Sequence, residues 1–142
     1  MLSKEVPISP LTTTTKTTGV IGHPIGHSLS PLMHNTAFEL LKMDYVYLAF
    51  DVQAQNLKEA LEGLTALGIV GVNVTIPHKE TVIPLLDDLS SEARAVGAVN
   101  TIVCDGEKLS GHNTDGYGFV EMLKPSKRAI QGEEVSVIGA GG

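Results

Sequence analysis

Short apolar runs bounded by glycine or proline alternate along this chain with apolar residues spaced three and four apart, the mixed periodicity of strands alternating with helices. Residues 19–22 (Gly-Val-Ile-Gly) read as a short buried strand. After a glycine- and proline-rich loop, Ser30 suits a helix N-cap with Pro31 at the first helical position, where the missing proline N–H costs nothing. Leu32, Met33, Thr36, Ala37, Leu40 and Leu41 then recur at helical spacing. Residues 45–50 are rich in strand formers, and Leu57, Ala60, Leu61 and Leu64 mark a second amphipathic helix stopped by Gly68. A third strand is expected over 70–76, ended by Pro77, followed by a helical stretch over 80–86 that Pro84 must break or kink. A short helix over 91–96 precedes two runs, 98–104 and 108–112, which flank Asp105-Gly106 as a tight hairpin. A last short helix is expected over 117–123. The pattern predicts an α/β fold: a mainly parallel, open twisted sheet with helices on both faces and a β-hairpin at one end.

The two ends read differently. Residues 1–17, with Pro7, Pro10 and a threonine run, have no period that could bury a face and are expected to form a flexible extension, with folding starting near Thr18. Residues 18–124 form the expected domain, and 125–142 a polar linker and a strand over 134–138 that runs into Gly139-Ala140-Gly141-Gly142. A strand followed by a glycine turn opens a dinucleotide-binding unit, in which the next helix would receive the pyrophosphate. A chain stopping there is expected to be part of a two-domain protein.

Charge narrows the partners. Sixteen Asp and Glu against ten Lys and Arg give a net charge of −6 over 142 residues. The basic residues are scattered, so neither the phosphate backbone of a nucleic acid nor an anionic membrane is an expected partner. No apolar run approaches the roughly 20 residues of a membrane helix. The single cysteine, Cys104, excludes an internal disulfide and fits a reducing, cytoplasmic setting.

Unusual polar residues gather at expected strand ends and helix starts, where open α/β sheets bind ligands. Ser28 and Ser30 stand at a helix N-terminus, whose free N–H groups and dipole favour a small carboxylate. Asn73 and Thr75 alternate onto one face of an otherwise apolar strand, with Lys79 just beyond its end. A partly desolvated lysine there can act as acid or base. Asn100 and Asp115 sit among small residues that let a ligand approach, and a carboxylate beside Lys79 would hold its ammonium in place. Each segment alone would also pass as ordinary cap or turn chemistry. His23, His27 and His34 lack a completing Cys, Asp or Glu, so loop hydrogen bonding is expected of them and no metal site.

Taken together, these segments resemble the substrate-binding domain of the shikimate dehydrogenase family. Residues 22–35 fill its G-x-P-I-x-H-S-x-S-P-x-x-H-N signature, 73–79 its N-V-T-x-P-x-K, 97–101 its G-A-V-N-T, and 111–118 its G-x-N-T-D-x-x-G. Gly139, Gly141 and Gly142 look like the opening of its nucleotide-binding turn. The resemblance, covering residues 18–142, implies the substrate domain of a two-domain dehydrogenase that reversibly reduces 3-dehydroshikimate to shikimate with NADPH, in chorismate and aromatic amino-acid synthesis. It implies that Ser28 and Ser30 bind the substrate carboxylate, that Asn73, Thr75, Asn100 and Asp115 hold ring hydroxyls, and that Lys79 and Asp115 form the catalytic pair.

Most of the NADP domain and the family's later substrate-contacting glutamine would lie past Gly142, so this chain is expected to keep part of the substrate site without transferring hydride unaided. A quinate/shikimate dehydrogenase using NAD(P), or a binding module that has lost the chemistry, are the alternatives. The retention of both Lys79 and Asp115 speaks against the second. A monomer or homodimer is expected.

Overall fold

The computed structural model describes residues 11–123 together with Gly132, Glu134 and Ser136. Its centre is a six-stranded sheet in the order β2-β1-β3-β5-β6-β4. Strand β1 (Lys16–Gly22) runs parallel to both β2 (Tyr45–Asp51) and β3 (Gly71–Val74). Strand β5 (Thr101–Asp105) lies antiparallel to β3 and forms a hairpin with β6 (Lys108–His112), while the two-residue β4 (Asp88–Leu89) adds in parallel at the far edge. The helices are α1 (Ser30–Leu40), α2 (Leu57–Ala66), α3 (His78–Thr81), α4 (Ser91–Val96) and α5 (Asp115–Leu123). No helix among the described residues is long and apolar enough to cross a membrane.

Alternation along the strands divides the core between two faces. On one face Ile21, Val72, Val74 and Ile102 pack with Leu57, Leu61 and Leu64 of α2, with Val82, and with Ala93 of α4. On the other, Val20 and Tyr47 pack with Ile25 and with Phe38 of α1. Helices therefore cover both faces, as the alternation of periods predicts. The spacing of α2 is the clearest case: its three buried leucines fall at i, i+4 and i+7, and Gly68 beyond its end takes a φ of 67°, a conformation that costs glycine little.

Several boundaries differ from expectation for identifiable reasons. Strand β1 begins at Lys16, not near Thr18, because the threonine run carries hydroxyls that find a partner: Thr14 and Thr15 donate to the Asp44 carboxylate at 2.9 and 2.6 Å, and the Lys16 N–H donates to the Asp44 carbonyl. Ser30 is the first helical residue and not the N-cap; Leu29 already has helical dihedrals, and Pro31 follows in the first turn. The stretch over 80–86 divides into α3 and a 3₁₀ turn over Ile83–Leu85, since Pro84 has no N–H to continue the ladder. Strand β3 is shorter than 70–76. Strand β5 starts at Thr101 because residues 98–100 bond elsewhere, Val99 N–H to the Lys79 carbonyl at 2.7 Å and Asn100 N–H to the His112 carbonyl at 3.0 Å. In the hairpin, Asp105 pairs with Lys108, so the turn is Gly106-Glu107 and not Asp105-Gly106. Helix α5 starts two residues early, at Asp115, whose N–H is received by the Asn113 side chain at 3.0 Å. Of the strand expected over 134–138, only Glu134 and Ser136 are described, and Gly139, Gly141 and Gly142 lie outside the described residues.

Leu61 is 2% exposed at the middle of the larger cluster, whereas Leu67, just past α2, is 77% exposed. Leu61→Ala is expected to lower unfolding free energy by about 2–5 kcal/mol. Leu67→Ala should change it by less than about 0.5 kcal/mol, with urea denaturation of both variants as the measurement.

Candidate active site at one edge of the sheet

The switch from parallel to antiparallel pairing between β3 and β5 places the candidate residues at one end of the central strands. Because Asn73 near the end of β3 lies opposite Thr101 at the start of β5, and Thr101 opposite His112 at the end of β6, the segments after β1, β3 and β6 and before β5 all emerge together. Ser28 lies in the loop after β1, and Ser30 opens α1. Thr75 follows β3 directly, Lys79 is the second residue of α3, Asn100 precedes β5, and Asp115 opens α5. The Lys79 carbonyl receives the Val99 N–H, which ties the lysine's turn to the segment carrying Asn100.

Asn100 organises the site. It is 8% exposed, and a buried amide must find partners for its donors and acceptor. Its Nδ2 donates to Asp115 Oδ1 at 2.8 Å and Thr114 Oγ1 at 2.9 Å; its Oδ1 receives the Thr114 N–H and the Thr101 hydroxyl, each at 3.0 Å. The other carboxylate oxygen, Asp115 Oδ2, accepts from Lys79 Nζ at 2.7 Å. Asp115 is thus gripped on both oxygens, and Lys79, its side chain 25% exposed, remains within reach of a ligand. Partial burial works to raise the Asp115 value, but the hydrogen bonds from Lys79 and Asn100 and the lysine's charge outweigh it, so the carboxyl is held below the ordinary aspartate range.

Asn73 joins this group from the strand side. Its Nδ2 faces the Asn100 carbonyl at 3.3 Å and Thr101 Oγ1 at 3.2 Å, and its Oδ1 accepts the Tyr47 hydroxyl at 2.6 Å. Thr75 is fixed by packing: its methyl occupies the place a Cβ on Gly22 would need, and its carbonyl receives the His78 N–H. Ser28 and Ser30 are joined to each other, the Ser28 hydroxyl accepting the Ser30 N–H at 3.3 Å. Among the described residues, no direct hydrogen bond links either serine to Lys79 or Asp115. A groove of about 270 Å³ beside the lysine is lined by Ile76, Pro77, Lys79, Glu80 and Thr81.

Sequence reasoning overlooked Tyr47, Thr101, Thr114 and His78. Tyr47 reads as one strand former among several; its signal was the company of Asn73, visible only once β1 is known to lie between their strands. His78 is fully buried, its Nε2 at 2.6 Å from the Val52 carbonyl, which anchors the turn bearing Lys79. Of the three histidines considered earlier, His23 pairs with Asp51 at 2.6 Å and His34 stacks on the Tyr47 ring. Among the described residues, no group of three His, Cys, Asp or Glu side chains could hold a metal ion.

A lowered folded value has a definite sign: the Asp115 link contributes stability above the ordinary aspartate range and loses it as pH falls through the folded value. In a carboxyl-carbon NMR titration, the Asp115 midpoint should lie below that of an exposed aspartate. Lys79→Ala or Asn100→Ala should move it upward; an unchanged midpoint in both variants would contradict the described grip.

The family described as shikimate dehydrogenase substrate binding domain matches residues 20–102. A shikimate dehydrogenase (NADP(+)) of Caldanaerobacter subterraneus is 52% identical over 129 residues, 91% of this chain and 46% of that protein. One of Bacillus mycoides is 56% identical over 125 residues, 87% of this chain and 45% of that protein. A crystal structure of shikimate 5-dehydrogenase from Listeria monocytogenes in complex with shikimate and NAD superposes with a TM-score of 0.89 at 46% identity, covering 94% of this chain and 46% of that one. The chain therefore spans about half the length of the curated relatives it matches, and it belongs to the shikimate dehydrogenase substrate-binding domain family.

Proposed function

We propose that this chain supplies the substrate-binding part of an NADP-dependent shikimate dehydrogenase, which reversibly reduces 3-dehydroshikimate to shikimate. The observation that carries the reading is the Lys79–Asp115 pair at 2.7 Å, held by Asn100 beyond the carboxyl ends of β1 and β3. Ser28 and Ser30, at the start of an eleven-residue helix, receive the substrate carboxylate. Asn73, Thr75, Asn100 and Asp115 bind ring hydroxyls. NADPH, when bound, supplies a hydride to the carbonyl carbon. The Lys79 ammonium passes a proton to the carbonyl oxygen as its charge develops, and Asp115 orients the ammonium and keeps it at that oxygen. Gly139, Gly141 and Gly142 are proposed to contribute to the cofactor turn; no step is derived through them. On the same reading, the protein works in the cytoplasm on a small molecule, as a monomer or homodimer, and its net charge of −6 is in keeping with the absence of a nucleic-acid or membrane partner.

Calorimetric titration of this chain with shikimate tests the binding half. Binding is expected, and Ser28→Ala with Ser30→Ala should weaken it by about tenfold or more, since charge-assisted hydrogen bonds to a carboxylate are lost. No binding by the wild-type chain would count against the reading. In a two-domain enzyme carrying this domain, Lys79→Ala should lower kcat by about 10²–10⁴ with a smaller change in KM. Turnover at the wild-type rate would exclude a proton-transfer role for the lysine.

A further inference from the structure

Tyr47 is 4% exposed and is held from three sides. Its ring stacks on His34, centroids 4.2 Å apart and planes 9° from parallel. Its backbone N–H and carbonyl are both taken by the Asn35 side chain at 2.9 Å, so α1 grips the outermost strand at this residue. Its hydroxyl reaches across the sheet face to Asn73 Oδ1 at 2.6 Å. Burial pushes the phenol up to about 12, with the Ser30 side chain acting in the opposite sense, so at neutral pH the hydroxyl keeps its proton and can donate.

This geometry sets the polarity of the Asn73 amide. An amide can turn over and exchange its oxygen for its nitrogen, and only its partners decide which end points where. The Asn100 carbonyl, which can only accept, selects the nitrogen at one end, and the phenol, which can donate or accept, donates to the oxygen at the other. The contacts of Nδ2 with the Asn100 carbonyl and Thr101 Oγ1 are long, 3.3 and 3.2 Å, and leave the amide able to donate to a ligand oxygen. A turned amide would set its oxygen against the Asn100 carbonyl and present an acceptor to the ligand.

We propose that Tyr47 is a positioning residue of the substrate site: its buried hydroxyl supports the orientation in which the Asn100 carbonyl holds Asn73 as a hydrogen-bond donor to the ligand, and couples α1, which carries Ser30, to the strand that carries Asn73. The inference rests on the proposed shikimate site and adds to it the sense of one recognition contact: the ligand hydroxyl at Asn73 must accept. The residue acts through Asn73 and does not itself touch the reacting atoms.

Tyr47→Phe keeps the ring and its stacking while removing the donor. In calorimetric titration with shikimate it should bind about three- to tenfold more weakly than wild type, the size of one hydrogen bond. On an Asn73→Ala background the same change should have less than about a twofold effect, because the pair acts as one unit. A role in packing alone would instead give the same loss on both backgrounds. Independently of any ligand, the Asn73 side-chain amide signals in a ¹⁵N-correlation NMR spectrum should shift strongly between the wild-type chain and Tyr47→Phe. Affinity within twofold of wild type, or equal losses on both backgrounds, would overturn the proposal. If the wild-type chain failed to bind shikimate, the functional reading would fail by itself, and amide signals left unchanged by Tyr47→Phe would then overturn the role of Tyr47.

Discussion

Burying the Asn100 amide is the constraint on which the rest of the site depends. A primary amide carries two donors and an acceptor, and leaving any of them dry and unpaired costs on the order of 1–3 kcal/mol. At 8% exposure Asn100 has little water to turn to, and it finds its partners in Thr101, Thr114 and Asp115. Those bonds bring the turn after β6 against the start of β5 and fix one oxygen of the Asp115 carboxylate. The other oxygen is left facing Lys79, so the 2.7 Å ion pair is a consequence of how the amide is satisfied. Low local dielectric strengthens such a network as long as every member is paired.

The fold supplies the place for this amide through a change of strand direction. Parallel strands β1 and β3 send their carboxyl ends to one end of the sheet, and the antiparallel β5 returns from that same end. Residues 98–100 must therefore bridge from α4 to β5 across the mouth of the site. Gly97 makes the entry possible: it closes α4 with a φ of 72°, where a side chain would be strained. From there the Val99 N–H donates to the carbonyl of Lys79, and the Asn100 carbonyl accepts the Val74 N–H, so the bridging segment is pinned on both sides before its side chain makes any contact. Helix α3 is anchored in turn by the buried His78 to the carbonyl of Val52.

Much of this was legible in the sequence because it depended on local chemistry. The leucine spacing of α2 acts within one helix, and α4 keeps the bounds of the short helix expected over 91–96. Asn73 stood out because an apolar strand has no local use for it, whereas Lys79, Asn100 and Asp115 pass singly as ordinary turn chemistry and stood out only together. What was not legible required knowing the neighbours. Tyr47 fits its strand pattern, and its contact with Asn73 spans the intervening strand. Two-residue β4 is too short for any period, and its pairing with β6 alone defines it. Ser30 has the chemistry of a cap, yet Leu29 was already helical, and nothing in the residue types distinguishes those two starts. The threonines before β1 lack any hydrophobic pattern; their order comes from Asp44, some thirty positions along the chain.

The central claim is that the ligand site lies where Asn100 gathers Lys79, Asp115 and Asn73. A second concavity, an apolar groove of about 400 Å³ between α1 and β2, lined among others by Leu32, Phe38, Met43 and Leu48, contains none of those residues. A crystal structure of this chain with shikimate bound distinguishes the two directly. The account predicts the carboxylate at Ser28 and Ser30 and the ring hydroxyls within hydrogen-bond distance of Asn73, Asn100 and Asp115, with Lys79 against the oxygen that is a carbonyl in the oxidised ligand. Shikimate seated in the α1–β2 groove, or lying beyond the ends of β1 and β3 with its carboxylate on Lys79, would contradict it.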